Sequence, residues 1–145
     1  MERRLTEQDG RLALRDHILA RAAAARARHG PVIDDGAIMQ VLEDREVVRY
    51  PVRIRFDAEP LQPGEFAHAA PLGDHPRQGF CLFIHPAFGH RPETWPLVIA
   101  YHIAPVNYGD IASPDDCELF GATLLGLGRE EYYQALCALA DEVPA

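Results

Sequence analysis

A chain of 145 residues can bury about 70% of its unfolded surface as one domain, without disulfides or a structural metal, so residues 1–145 are read as a single domain. All fourteen basic side chains are arginine, which excludes Schiff-base chemistry, a Walker-type phosphate loop and a lysine base; Ser113, the only serine, nearly excludes a serine nucleophile. The formal charge of −8 argues against nucleic-acid binding, which draws most of its affinity from neutralising phosphates.

The charge is unevenly placed. Residues 1–29 carry seven arginines against four acids, whereas from Glu93 onward nine acids face only Arg129. A basic N-terminal helix and an acidic C-terminal half are therefore expected to attract each other, within one molecule or between two. No segment reaches the roughly 20 apolar residues of a membrane span. A signal peptide's apolar core is absent, and Glu2, Glu7, Asp9 and Asp16 argue against a transit peptide, so a cytoplasmic location away from membranes is expected. Cys81, Cys117 and Cys137 lack both a disulfide pattern and a zinc-knuckle spacing.

In chain order, Thr6 caps a helix expected to run to about Arg28, stopped by Gly30-Pro31, with Leu5, Leu12 and Leu19 as a seven-residue apolar seam. Asp34 or Asp35 caps a second helix to about Leu42, with Ile38, Val41 and Leu42 on one face. The period then becomes two. Val52, Ile54 and Phe56 point one way and Arg53 and Arg55 the other, and Pro51 marks an edge strand. A weaker strand over 65–70 and a turn at Gly73-Asp74-His75-Pro76 lead to two continuously apolar runs, 80–85 and 96–103.

These two runs read as the central antiparallel pair of the sheet, covered on both faces. A turn over 106–110 follows. Ser113-Pro114-Asp115-Asp116 then gives a hydroxyl cap, a proline in the first turn and acids where the helix dipole favours them, opening a helix to about Leu125. Gly126 and Gly128 separate it from a last helix, Arg129 to about Asp141, with Tyr132, Leu136 and Leu139 on one side and Tyr133, Cys137 and Ala140 near them. The expected architecture is α+β: a four-stranded antiparallel meander flanked by two N-terminal and two C-terminal helices.

Functional expectations centre on the sheet. A hairpin turn at Asp74-His75 pairs residues whose numbers sum to about 149, which sets His68 opposite Cys81. One register of the next hairpin sets His102 opposite Cys81 as well; the other sets it opposite His85. Under the first, His68, Cys81 and His102 form a cluster at cross-strand spacing that could hold zinc or activate the Cys81 thiol. Arg53 and Arg55 would add a wall for a small anionic ligand, and Asn107 and Tyr108 a polar turn at a strand end where binding residues collect. The competing reading of the same residues is an inert central cysteine and hydrogen-bonded core histidines.

Two functions thus stand open. One is a small non-catalytic or ligand-binding domain acting as an accessory or interaction protein, with a homodimer or a protein partner covering an apolar face. The other is a metal- or thiol-dependent enzyme using the sheet-face His/Cys cluster.

Overall fold

The structure is a computed structural model that describes residues 6–144. Five helices and a three-stranded mixed sheet build it. Helices α1 (Glu7–His29) and α2 (Asp35–Glu43) come first, followed by strands β1 (Val52–Phe56), β2 (Ala67–Pro71) and β3 (Phe80–Ile84). Helices α3 (Trp95–Tyr108), α4 (Pro114–Leu125) and α5 (Arg129–Asp141) complete the chain.

The helix starts follow local chemistry. Thr6 and Ser113 each close a reciprocal capping box, with Asp9 and Asp116 respectively, and the Asp34 carboxylate accepts from the Ala37 N–H at 2.8 Å. Helix α1 docks chiefly through Ile18, Ala22 and Ala25; of the expected leucine seam, Leu19 packs partly buried against the core, Leu12 is exposed and Leu5 lies outside the described residues. Among the described residues, no α1 cation forms an ion pair with an acid of the C-terminal half. Arg26 donates to the Leu124 carbonyl at the end of α4, where the helix dipole favours a cation, and Arg28 pairs with Asp44 and Glu46.

The expected four-stranded antiparallel meander with two helices on either side is not what forms. The run over 96–103 belongs to α3, a helix of 14 residues, and the sheet has the order β1-β3-β2 with β1 parallel and β2 antiparallel to β3. A continuous apolar run carries no period that separates a buried strand from a helix buried on every side. Pro92 and Pro96 help to decide it, because each lies in the first turn of a helical segment, where a missing N–H costs nothing. The helix continues through Pro105 to Gly109, whose φ of 63° stops it.

Consequently α3 is the central element. Pro96, Val98, Ile99, Ala100, Ile103, Ala104, Val106 and Asn107 are all buried, and burying each large aliphatic side chain contributes about 1.5–3 kcal/mol. The sheet is covered on one face only. Val52, Ile54, Leu82, Ile84, Ala67 and Ala69 join the helical core, while Arg53, Arg55, Cys81, Phe83, His68 and Ala70 share the other face.

Candidate functional site

The most developed concavity lies where the edge strand β2 meets α3, α4 and α5. Its volume is about 470 Å³, and its lining includes Phe66, Tyr101, His102, Glu118, Tyr133 and Cys137. Each helix contributes at helical spacing. Tyr101 and His102 are consecutive on α3, with rings edge to face at 5.2 Å. On α5, Tyr133, Cys137 and Ala140 recur at i, i+4 and i+7, one stripe round from the buried Tyr132, Leu136 and Leu139. Beneath the cleft, Tyr132 is fully buried and donates its hydroxyl to the Leu97 carbonyl at 2.6 Å, locking α5 to α3.

The lining sets the carboxylates of Glu65 and Glu118 among aromatic and apolar side chains. The His102 Nδ1–H donates to the Val98 carbonyl at 2.8 Å, an assignment that follows because a carbonyl only accepts. Burial holds this imidazole below its ordinary value, and His68 adds to the effect against the opposing pull of the Val98 carbonyl and Glu65. It is therefore neutral at pH 7. Burial pushes the Tyr101 phenol up to about 12, with Cys117, Glu118 and Asp115 adding to it. At the mouth, Tyr133 is 47% exposed, and its phenol is raised chiefly by its hydrogen bond with Cys137. Glu118 is half-buried and makes no hydrogen bond or ion pair among the described residues.

The residues singled out from sequence fall in three places. His68 and His102 line this cleft together, from β2 and α3. Arg53, Arg55 and Cys81 share the outer sheet face, on β1 and β3. The strand order separates β1 from β2 by about 10 Å, and the two arginines do not line the cleft. Asn107 and Tyr108 close the end of α3 and line a separate hollow of about 400 Å³ with Tyr50 and Phe80. Both are committed to packing. Asn107 binds the backbone at Val47 and Arg49, and the Tyr108 hydroxyl meets His17 Nδ1 at 2.8 Å.

The expected cluster of His68, Cys81 and His102 rests on a register that the sheet does not adopt. Residues of β2 and β3 pair with numbers summing to 151, so His68 lies opposite Phe83, and Cys81 lies between Arg53 and Ala70. His68 and Cys81 are thus diagonal neighbours about 7–8 Å apart, and His102 is on a helix beneath the sheet. Burial raises the Cys81 thiol by more than Arg55 and Arg53 lower it. Among the described residues no group of three or more His, Cys, Asp or Glu converges in a way that could hold a metal ion.

Tyr101, Tyr133 and Cys137 carry no functional expectation in the sequence, whereas Glu118 belongs there to an acidic corner with Asp110, Asp115 and Asp116 that could bind a hard cation or supply a general acid and base. The stripe of Tyr133, Cys137 and Ala140 was visible as surplus apolar surface on α5, wider than one packing face requires. Tyr101 was hidden by the strand assignment. Helix capping accounts for Asp115 and Asp116 in the first turn of α4, and Glu118 lies one turn further on.

By fold and site together, this is an α+β domain with its helices on one sheet face and an aromatic cleft at the sheet edge. No protein family, curated protein or solved structure matches the chain. No helix among the described residues is long and apolar enough to cross a membrane.

Proposed function

We propose that this protein is a small-ligand-binding domain acting as an accessory protein, and that its site is the cleft between β2 and helices α3, α4 and α5. The observation that carries the reading is the combination of size and lining: about 470 Å³, walled by Phe66, Tyr101, Tyr133 and Leu136, with His102 and Glu118 as polar groups. Ligand sites typically have volumes of about 300–1,000 Å³ and present apolar walls with a few oriented polar groups. Tyr132 and the α3–α5 packing hold the floor rigid, so little ordering cost falls on binding.

The test is amide chemical-shift mapping of the isotope-labelled protein against a fragment collection. Binders should shift a contiguous set around Phe66, Tyr101, His102, Glu118 and Cys137, and Ala140→Phe, which fills the cleft, should abolish those shifts while leaving the rest of the spectrum in place. Binding only elsewhere on the molecule, or cleft shifts indifferent to Ala140→Phe, would overturn the proposal.

A further inference from the structure

We propose that the cleft selects a small organic cation, an alkyl- or arylammonium compound, held between the aromatic faces of Tyr101 and Tyr133 and neutralising Glu118. This deepens the ligand-binding reading above and rests on it.

The inference begins with the inventory of the lining. Three aromatic residues, Phe66, Tyr101 and Tyr133, and two carboxylates, Glu65 and Glu118, border the cleft, and no arginine does. Lysine is absent from the chain, so no ammonium of its own can fill that place. His102 is held neutral by burial, and His68 is exposed on the edge strand.

Glu118 is the group that asks for a partner. Neighbouring acids are occupied: Glu65 accepts from the Gln62 N–H at 3.1 Å, Asp116 closes the α4 capping box, and Asp115 pairs with Arg129 at 3.3 Å. Glu118 has no such contact among the described residues, and it lines the cleft from α4, half-buried. Its field reaches the groups around it. The phenols of Tyr101, Tyr132 and Tyr133 and the Cys117 thiol are all pushed upward in part by this carboxylate.

A cleft with a negative field and aromatic walls attracts a cation through both the charge and the ring quadrupoles, each stronger where water is excluded. The same walls choose the kind of cation. A metal ion needs several converging oxygen, nitrogen or sulfur donors, and no such group exists among the described residues. An alkylated ammonium spreads its charge over methyl or methylene groups that pack on aromatic rings, and the apolar floor of Leu136 and Ala140 accepts its hydrocarbon part.

The experiment compares three isosteric probes by calorimetry and amide shift mapping at pH 7 and low salt: choline, neutral 3,3-dimethylbutan-1-ol and anionic 3,3-dimethylbutanoate. The expected order is choline tightest, by about tenfold over the alcohol, with the carboxylate weakest. Glu118→Gln, which keeps shape and removes charge, should weaken choline several-fold towards the alcohol's affinity, which should itself stay unchanged. Tyr133→Phe should preserve choline binding and Tyr133→Leu should weaken it, a difference that a merely structural role for the side chain would not produce.

Equal binding of all three probes in the cleft, or a preference for the carboxylate, would overturn the cation inference and leave the cleft as a ligand site. No cleft shifts from any of the three would overturn it too, and the ligand-binding reading would then fall only if the fragment mapping also failed. Choline binding that survives Glu118→Gln unchanged would refute the role given to that carboxylate.

Discussion

Replacing Asn107 by alanine tests whether the end of α3 is held by the contacts described for it. The side chain is buried at 3% exposure and joins two backbone groups of the segment between α2 and β1. Oδ1 accepts from the Arg49 N–H at 2.8 Å, and Nδ2 donates to the Val47 carbonyl at 2.6 Å. Each such bond contributes about 1 kcal/mol net, and leaving the buried Val47 carbonyl without a donor adds about 1–3 kcal/mol. The expected loss is therefore about 3–5 kcal/mol, a large part of the 5–15 kcal/mol that typically holds a domain together. Equilibrium urea unfolding followed by far-ultraviolet circular dichroism reads it directly, with an unchanged slope showing that the denatured state is the same. Asn107→Asp keeps the acceptor for Arg49 but turns a carboxylate towards the Val47 carbonyl, so it should cost at least as much as alanine. A loss below about 0.5 kcal/mol for both variants, the range of an ordinary surface substitution, would refute the reasoning.

Two further predictions concern packing and charge. A methyl group at Gly121 would fall inside contact distance of the ring and hydroxyl of Tyr132, which is fully buried and bonded to Leu97. Overpacking of about 1–3 kcal/mol should outweigh the gain of about 1 kcal/mol from alanine's helix propensity, so Gly121→Ala should lower the urea midpoint; a raised midpoint would show that Tyr132 moves freely. Burial alone would raise the Asp44 carboxyl, but hydrogen bonds from His29 at 2.9 Å and Arg28 at 2.8 Å outweigh it and hold the group below its ordinary value of 3.8. A carboxylate lowered in the folded state contributes stability that is fully present above its unfolded value and is lost as pH falls through its folded one. The stability difference between the native protein and Asp44→Asn should therefore shrink as pH falls below about 4, and a gap that persists unchanged into strong acid would contradict the pairing.

The cleft shows why its residues were only partly legible beforehand. His68 and His102 were candidates because histidines are chemically conspicuous, yet the reason offered for joining them, adjacent strands in one register, was mistaken. They meet because a helix carrying one passes under the edge strand carrying the other. Arg53, Arg55 and Cys81 share a sheet face, but the expected route, with the first strand lying beside residues 65–70, is not the one taken: β1 pairs in parallel with β3, which sets Arg53 directly beside Cys81.

What the chain determined by itself is the set of features closed by local hydrogen bonds or local periodicity. Thr6, Asp34 and Ser113 announce three helix starts through side chains that bond within three residues, and the alternation over 52–56 marks β1 whatever packs on it. Apart from the hint given by Pro92 and Pro96, tertiary structure decided the state of residues 95–108, because an apolar run satisfies its backbone equally well in a ladder or in a helix and the surrounding layers select between them. It also decided the β2–β3 register, since a shift of the pairing sum from 149 to 151 leaves every residue of β2 on the same face and changes only which neighbours meet. The juxtaposition of Glu118, Tyr101 and Tyr133 depends on how α3, α4 and α5 pack. Those contacts join distant segments, and no spacing along the chain encodes them.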